Sequence, residues 1–215
     1  MNRIHKYFPE MGINIFWYKE HKRISNISTP NLTELNNNVA LCKKCDLSLS
    51  RTNTVFGSGD SNAEIMIVGE APGKDEDLQG IPFVGRAGKL LTELLDSIHL
   101  QRENIFITNT VKCRPPENRN PETQEIDACA YYLDEQIKII KPKVIILLGK
   151  IAADRMLNVD KPITELRGKK FFLKNHSIPV IVFYHPAYIL RSPSQKHKAW
   201  QDLKFLKEIL SPHVN

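Results

Sequence analysis

The chain has 215 residues, of which 41% are hydrophobic and 25% charged, with a formal net charge of +6. That apolar content is enough to bury a core, which excludes disorder as the dominant state, and the longest aliphatic run, Val144 to Leu148, is far short of the ~20 residues of a membrane-spanning helix. The positive charge is concentrated late: residues 161–215 hold ten Lys/Arg against three Asp/Glu, whereas residues 51–160 hold 13 against 17. A polyanion such as nucleic acid would meet the C-terminal end first; from charge alone, a merely solubilising surface weighs equally.

Residues 1–40 read as an N-terminal extension packed on a domain spanning residues 41–215. The extension opens with MNRIHKYFPEMGINIFW, which has no apolar run followed by a small-residue cleavage site, so an intracellular, cytoplasmic protein is expected. A polar stretch and a helix then run toward Cys42. Four short β-branched runs follow, Ile65–Val68, Ile105–Val111, Val144–Leu148 and Ile178–Phe183. Their apolarity is continuous rather than alternating, as in strands covered on both faces.

Helical patterns separate these runs. Leu90, Leu91, Leu94, Leu95 and Ile98 mark one face, and Ile126, Cys129, Ala130, Leu133, Ile137 and Ile140 another, entered through Asn120 as N-cap and Pro121. Trp200, Leu203, Leu206 and Leu210 mark a last helix. Alternating strands and helices predict an α/β fold, a three-layer sandwich around a four-stranded parallel sheet.

In such sheets ligands bind beyond the carboxyl ends of the strands, and the unusual residues of this chain fall there. The first strand runs into Gly69-Glu70-Ala71-Pro72-Gly73, an acidic run containing Glu76, and Phe83. The second ends at Asn109, followed by a turn through Asn118, and the fourth ends in His185-Pro186-Ala187-Tyr188-Ile189-Leu190-Arg191. Taken singly, each has a bland explanation: a capped histidine, a solvated acidic turn, a core phenylalanine. Their placement on one edge is what marks them. The third strand ends only in Gly149-Lys150.

Cys42-x-x-Cys45 puts two thiols within reach of one metal centre, while Cys113 and Cys129 stand 16 residues apart. That is not the spacing of a zinc ribbon. The spacing suits tetrahedral zinc or a [4Fe-4S] cluster and does not choose between them.

Together, GEAPGKDED with PFVGRAG, TNTVKCRPPENRNP, HPAYILR and the four-cysteine layout resemble the family-4, iron-sulfur uracil-DNA glycosylases over residues 42 to about 191, and MGINIFW resembles the extension of many bacterial members. The resemblance implies a [4Fe-4S] cluster on Cys42, Cys45, Cys113 and Cys129, and removal of uracil from single- or double-stranded DNA by a monomer working at the nucleoid. It implies that the Gly69–Gly73 loop lies against base and sugar, that Phe83 stacks on uracil and Asn109 reads its edge, and that His185 approaches O2. Glu76 and Asn118 match positions near the reaction centre. Leu190 or Arg191 would probe the duplex, and Lys196 would grip phosphate. Ala71 stands where some relatives carry an Asp or Asn that orients water, which leaves that role unassigned; Glu70 or Glu76 could stabilise the cationic sugar or position the water, with Glu76 placed first.

The chemistry agrees with these residue types. An amide can accept from uracil N3–H while donating to O4, the opposite of what cytosine presents. A donor at O2 stabilises the departing base, and a carboxylate suits a cationic sugar. The alternatives are a non-catalytic nucleic-acid-binding module with a structural metal, a nucleotide-binding enzyme, disfavoured because GEAPG lacks the P-loop Lys-Ser/Thr, and a covalent DNA-adduct former, disfavoured because no basic insertion follows Gly85-Arg86-Ala87-Gly88.

Overall fold

The computed structural model describes residues 31–173 and 177–210. Its elements, in chain order, are α1 (Leu32–Ala40), α2 (Leu47–Ser50), β1 (Ile65–Gly69), α3 (Lys74–Gln79), α4 (Arg86–Asp96), β2 (Ile105–Asn109), α5 (Thr123–Ile140), β3 (Val144–Leu148), α6 (Lys150–Leu157), α7 (Ile163–Leu166), β4 (Phe171–Phe172), β5 (Pro179–Phe183), α8 (Pro186–Arg191) and α9 (Lys196–Leu210). The sheet order is β2-β1-β3-β5-β4. The first four strands are mutually parallel, as expected, and β4 adds a short antiparallel edge against β5. A two-residue strand carries no periodicity, which is why the sequence reading counts four strands rather than five.

Every residue of β1, β2 and β3 is buried, because both faces of the sheet are covered. One face takes Met66, Val68, Phe106, Ile145 and Leu147 against Leu35 and Val39 of α1, Leu133 and Ile137 of α5, and Ala152 and Ala153 of α6. The other takes Ile65, Ile67, Ile107 and Ile146 against Leu91 and Leu95 of α4 and Leu203 and Leu206 of α9. These are the three layers read from the sequence. None of the described helices is long and apolar enough to cross a membrane.

Details differ from expectation for local reasons. The second strand stops at Asn109 rather than Val111, where Thr110 and Val111 turn to bond the carbonyls of Gly69 and Glu70. The α5 helix starts at Thr123 with Glu122 as N-cap, not at Pro121 behind Asn120, because Glu125 reaches back to the Glu122 N–H at 2.7 Å. Trp200 is 47% exposed instead of joining the apolar face of α9. The expected boundary at residue 40 falls at the end of α1. The part of the expected extension that precedes α1, including Phe16 and Trp17, lies outside the described residues.

A buried ion pair anchors the end of β5. Arg167 donates Nε and Nη2 to the Asp202 carboxylate at 2.9 and 2.8 Å, and its guanidinium lies 4.2 Å from the ring centre of Tyr184, the residue before His185. Removing one partner of such a pair leaves an uncompensated buried charge. Arg167→Leu is therefore expected to lose about 3–5 kcal/mol of folding stability, measured by urea denaturation; a loss within error of zero would mean that the pair does not anchor β5.

Candidate active site

Because the parallel strands end at one level, with Gly69 paired to Asn109 and Leu148 to Phe183, the residues that follow them share one rim. A cavity of about 820 Å³ opens there. It is lined by Glu70, Ala71, Gly73 and Glu76 after β1, Phe83 before α4, Asn109 of β2, Asn118, and His185 and Arg191 of the last segment. Nine of the sequence-predicted residues are thus brought together. Gly69 lies beneath them, whereas Leu190, 38% exposed, and the exposed Lys196 at the start of α9 are not part of the lining.

The floor is built by glycines. A Cβ on Gly69 would stand 2.4 Å from Asn109 Oδ1 and 2.7 Å from Phe83 Cζ, so the bare backbone is what lets the amide and the ring meet. Asn109 is 1% exposed, and its Oδ1 is buried without a hydrogen-bond partner among the described residues. Phe83 holds φ = +53°, strained for a bulky residue. Gly88 allows this: a Cβ there would fall 1.8 Å from the Phe83 carbonyl oxygen. The Phe83 ring centre lies 5.8 Å from that of His185, with the planes 32° apart.

His185 caps α8, its Nδ1 accepting the Ala187 N–H at 3.2 Å. With Nδ1 occupied as an acceptor, the ring proton of the neutral form sits on Nε2. Burial, helped by the positive charge of Arg191, lowers the His185 pKa to about 4. The imidazole is therefore a neutral donor across the physiological range. Gly149, which the sequence reading passed over, has φ = +92° and lies where a Cβ would meet His185 Cβ at 3.2 Å.

The two carboxylates differ sharply. Glu76 accepts from three backbone N–H groups, Gly73 at 3.1 Å, Val84 at 3.0 Å and Gly85 at 2.9 Å, which ties α3 to the Phe83 turn. Glu70 makes no side-chain hydrogen bond to the described residues, and burial raises its pKa. Asn118, with φ = +55°, accepts from Arg114 Nε at 2.8 Å. Arg119 grips the buried Glu125 with both Nη atoms, at 2.9 and 2.6 Å, and so holds this turn to α5. In the acidic run, Asp77 is buried and accepts from the Thr52 and Asn53 backbones.

All four cysteines line a second, much smaller cavity of about 20 Å³, with Arg51 and Lys112. Arg51 Nη1 donates to Cys113 Sγ at 3.0 Å. Burial pushes the Cys113 thiol up to about 11 and raises Cys45 and Cys129. Among the described residues no three His, Cys, Asp or Glu side chains are disposed to hold one metal ion. Arg51 and Lys112 were not singled out by sequence reading. A lysine beside a cysteine in VKCR carries no sign that it will be buried.

A family model for the uracil DNA glycosylase superfamily matches residues 56–204. A type-4 uracil-DNA glycosylase of Sulfurisphaera tokodaii is 48% identical over 185 residues, covering 83% of this chain and 84% of its own. Similar proteins of the same description occur in Archaeoglobus fulgidus, 44% identical over 83% of this chain and 92% of its own, and in Thermotoga maritima, 46% identical over 74% and 82%.

A histidine held neutral in the fold but protonated near pH 6.5 when unfolded makes the unfolded state bind more protons between about pH 4 and 6.5. Stability is then complete above about 6.5 and declines as the pH falls toward 4. Because Asp202, raised to about 6 by burial, acts in the opposite sense over the same window, the His185 contribution is read as a difference: between pH 6.5 and 4 the wild type should lose roughly 2–3 kcal/mol more than His185→Asn in urea denaturation. Equal slopes in the two proteins would refute the neutral assignment.

Proposed function

The chain belongs to the uracil-DNA glycosylase superfamily, and from that premise we propose that its large cavity receives a deoxyuridine flipped out of DNA and hydrolyses the N-glycosidic bond, releasing uracil and leaving an abasic site. The observation that carries this reading is the buried, unpartnered Asn109 Oδ1 beside the Phe83 ring. A buried acceptor without a donor is costly in the free protein, and uracil N3–H supplies the donor. Cytosine offers a bare acceptor at N3 and is refused.

Flipping costs a few kcal/mol, and stacking on Phe83 returns about 1–3 kcal/mol. As C1′–N1 breaks, its electron pair passes to the base and charge gathers on O2. His185, fixed with its proton on Nε2, donates to O2 without having to be cationic. Water then adds to C1′ and gives up a proton. Glu70 is the better carboxylate for that face, since Glu76 is committed to three backbone donors. This reverses the order of preference drawn from the sequence. Arg191, at the cavity's rim, and the exposed Leu190 suit contact with the duplex, and Lys196 suits a phosphate. The enzyme acts as a monomer on single- or double-stranded DNA.

The four cysteines hold a [4Fe-4S] cluster on this reading. The four thiols line one small cavity, and a cluster spreads four cysteine ligands over several irons. Arg51 and Lys112 provide the positive charge that thiolates favour. The cluster supplies structure, holding the segment from Cys113 to Cys129, because hydrolysis of this bond moves no electrons.

An oligonucleotide bearing one uracil, treated with the protein and then with alkali, should break at uracil and not in a thymine control. His185→Ala should slow single-turnover cleavage on the order of 10²-fold or more. Glu70→Gln should lower the cleavage rate with little change in thermal stability, while Glu76→Gln should lower stability first. No cleavage by iron-loaded wild-type protein would refute the catalytic reading in favour of a binding module.

A further inference from the structure

Lys112 is 1% exposed, although it sits only three residues beyond Asn109 and directly before Cys113. Its ammonium donates to Thr108 Oγ1 at 2.6 Å, to the Asn109 carbonyl at 2.7 Å and to Gln136 Oε1 at 2.7 Å. The network closes on itself: Thr108 Oγ1 and Gln136 Nε2 both donate to the Phe56 carbonyl at 2.8 Å. All three acceptors of the ammonium are neutral. Among the described residues no carboxylate pairs with it, yet burying a cation without a counter-charge is costly. Cys113 and Cys129, which carry negative charge as thiolates, line the same small cavity as Lys112.

We propose that Lys112 is a positioning residue shared by the two sites: its ammonium is the counter-charge for Cys113 and Cys129 as cluster-bound thiolates, and it also holds the Thr108–Asn109 strand end that presents the Asn109 amide to uracil. The inference rests on reading the large cavity as a uracil site and the cysteines as cluster ligands. Neutralising the thiolates and fixing the base reader are one act, because of the three N–H bonds that fix the ammonium one ends on the Asn109 carbonyl and another on the Thr108 hydroxyl, the two last residues of that strand. Formation of the cluster therefore tightens uracil recognition without touching the base.

The test uses the full, iron-loaded chain, with Lys112→Met and Thr108→Val beside the wild type. Two quantities are read: the inhibition constant of free uracil against cleavage, and the rate at which a chelator bleaches the visible absorption of the cluster. In Lys112→Met the inhibition constant should rise about tenfold and bleaching should accelerate by roughly tenfold or more. Thr108→Val, which removes one of three acceptors, should shift both in the same direction by a smaller factor. If Lys112→Met does not fold, Thr108→Val decides. Wild-type values of both quantities in a folded variant, or a change in only one of them, would overturn the coupling. A wild type that binds no iron or leaves uracil DNA intact would instead overturn the functional reading, and this inference with it.

Discussion

Parallel strands hydrogen-bonded in register end at the same level, and this constraint governs the molecule. With Gly69 opposite Asn109 and Leu148 opposite Phe183, the chain leaves the sheet four times along one rim, and Glu70, Asn109, Gly149 and His185 follow as neighbours. Both faces of the sheet are buried under helices, so polar side chains on the strands have no solvent to meet except at those ends. The rim is where polar chemistry can be concentrated without leaving unsatisfied groups in the core.

Close approach at the rim depends on missing side chains. Gly69 admits the Asn109 amide and the Phe83 ring, Gly88 admits the Phe83 carbonyl, and Gly149 admits His185. The strained φ of Phe83 persists because the turn around it is over-determined, with Glu76 binding three backbone N–H groups across α3 and the start of α4. A carboxylate spent in this way organises the turn, while Glu70, raised in pKa by burial, makes no side-chain hydrogen bond among the described residues. Burial acts on His185 in the complementary sense. It favours the neutral ring, and the helix cap then decides which nitrogen carries the proton.

The two cavities differ in electrostatic character. The large one is lined by an orphaned acceptor on Asn109, the neutral His185 ring and Arg191. The small one brings four thiols against Arg51 and Lys112, a composition that would be unfavourable for neutral thiols alone, since the buried ammonium then lacks any anion. The Lys112 network lies between them, its acceptors drawn from β2 and α5.

The sequence by itself determined the strands, the main helices, the layered α/β class and the edge on which the unusual residues cluster, because these depend on local periodicity and on the rule that parallel sheets place ligands at their carboxyl ends. Only the tertiary structure decided the antiparallel β4, the exposure of Trp200, the entry of α5 at Glu122, the different hydrogen bonding of Glu70 and Glu76, and the burial of Lys112. Each of those is settled by which donor meets which acceptor across the fold. Gln136 meets the Phe56 carbonyl across 80 residues, and Arg51 meets Cys113 across 62. A pattern read over a few turns of chain holds no record of such pairings, since their energies exist only once packing has brought the partners together and removed the water between them.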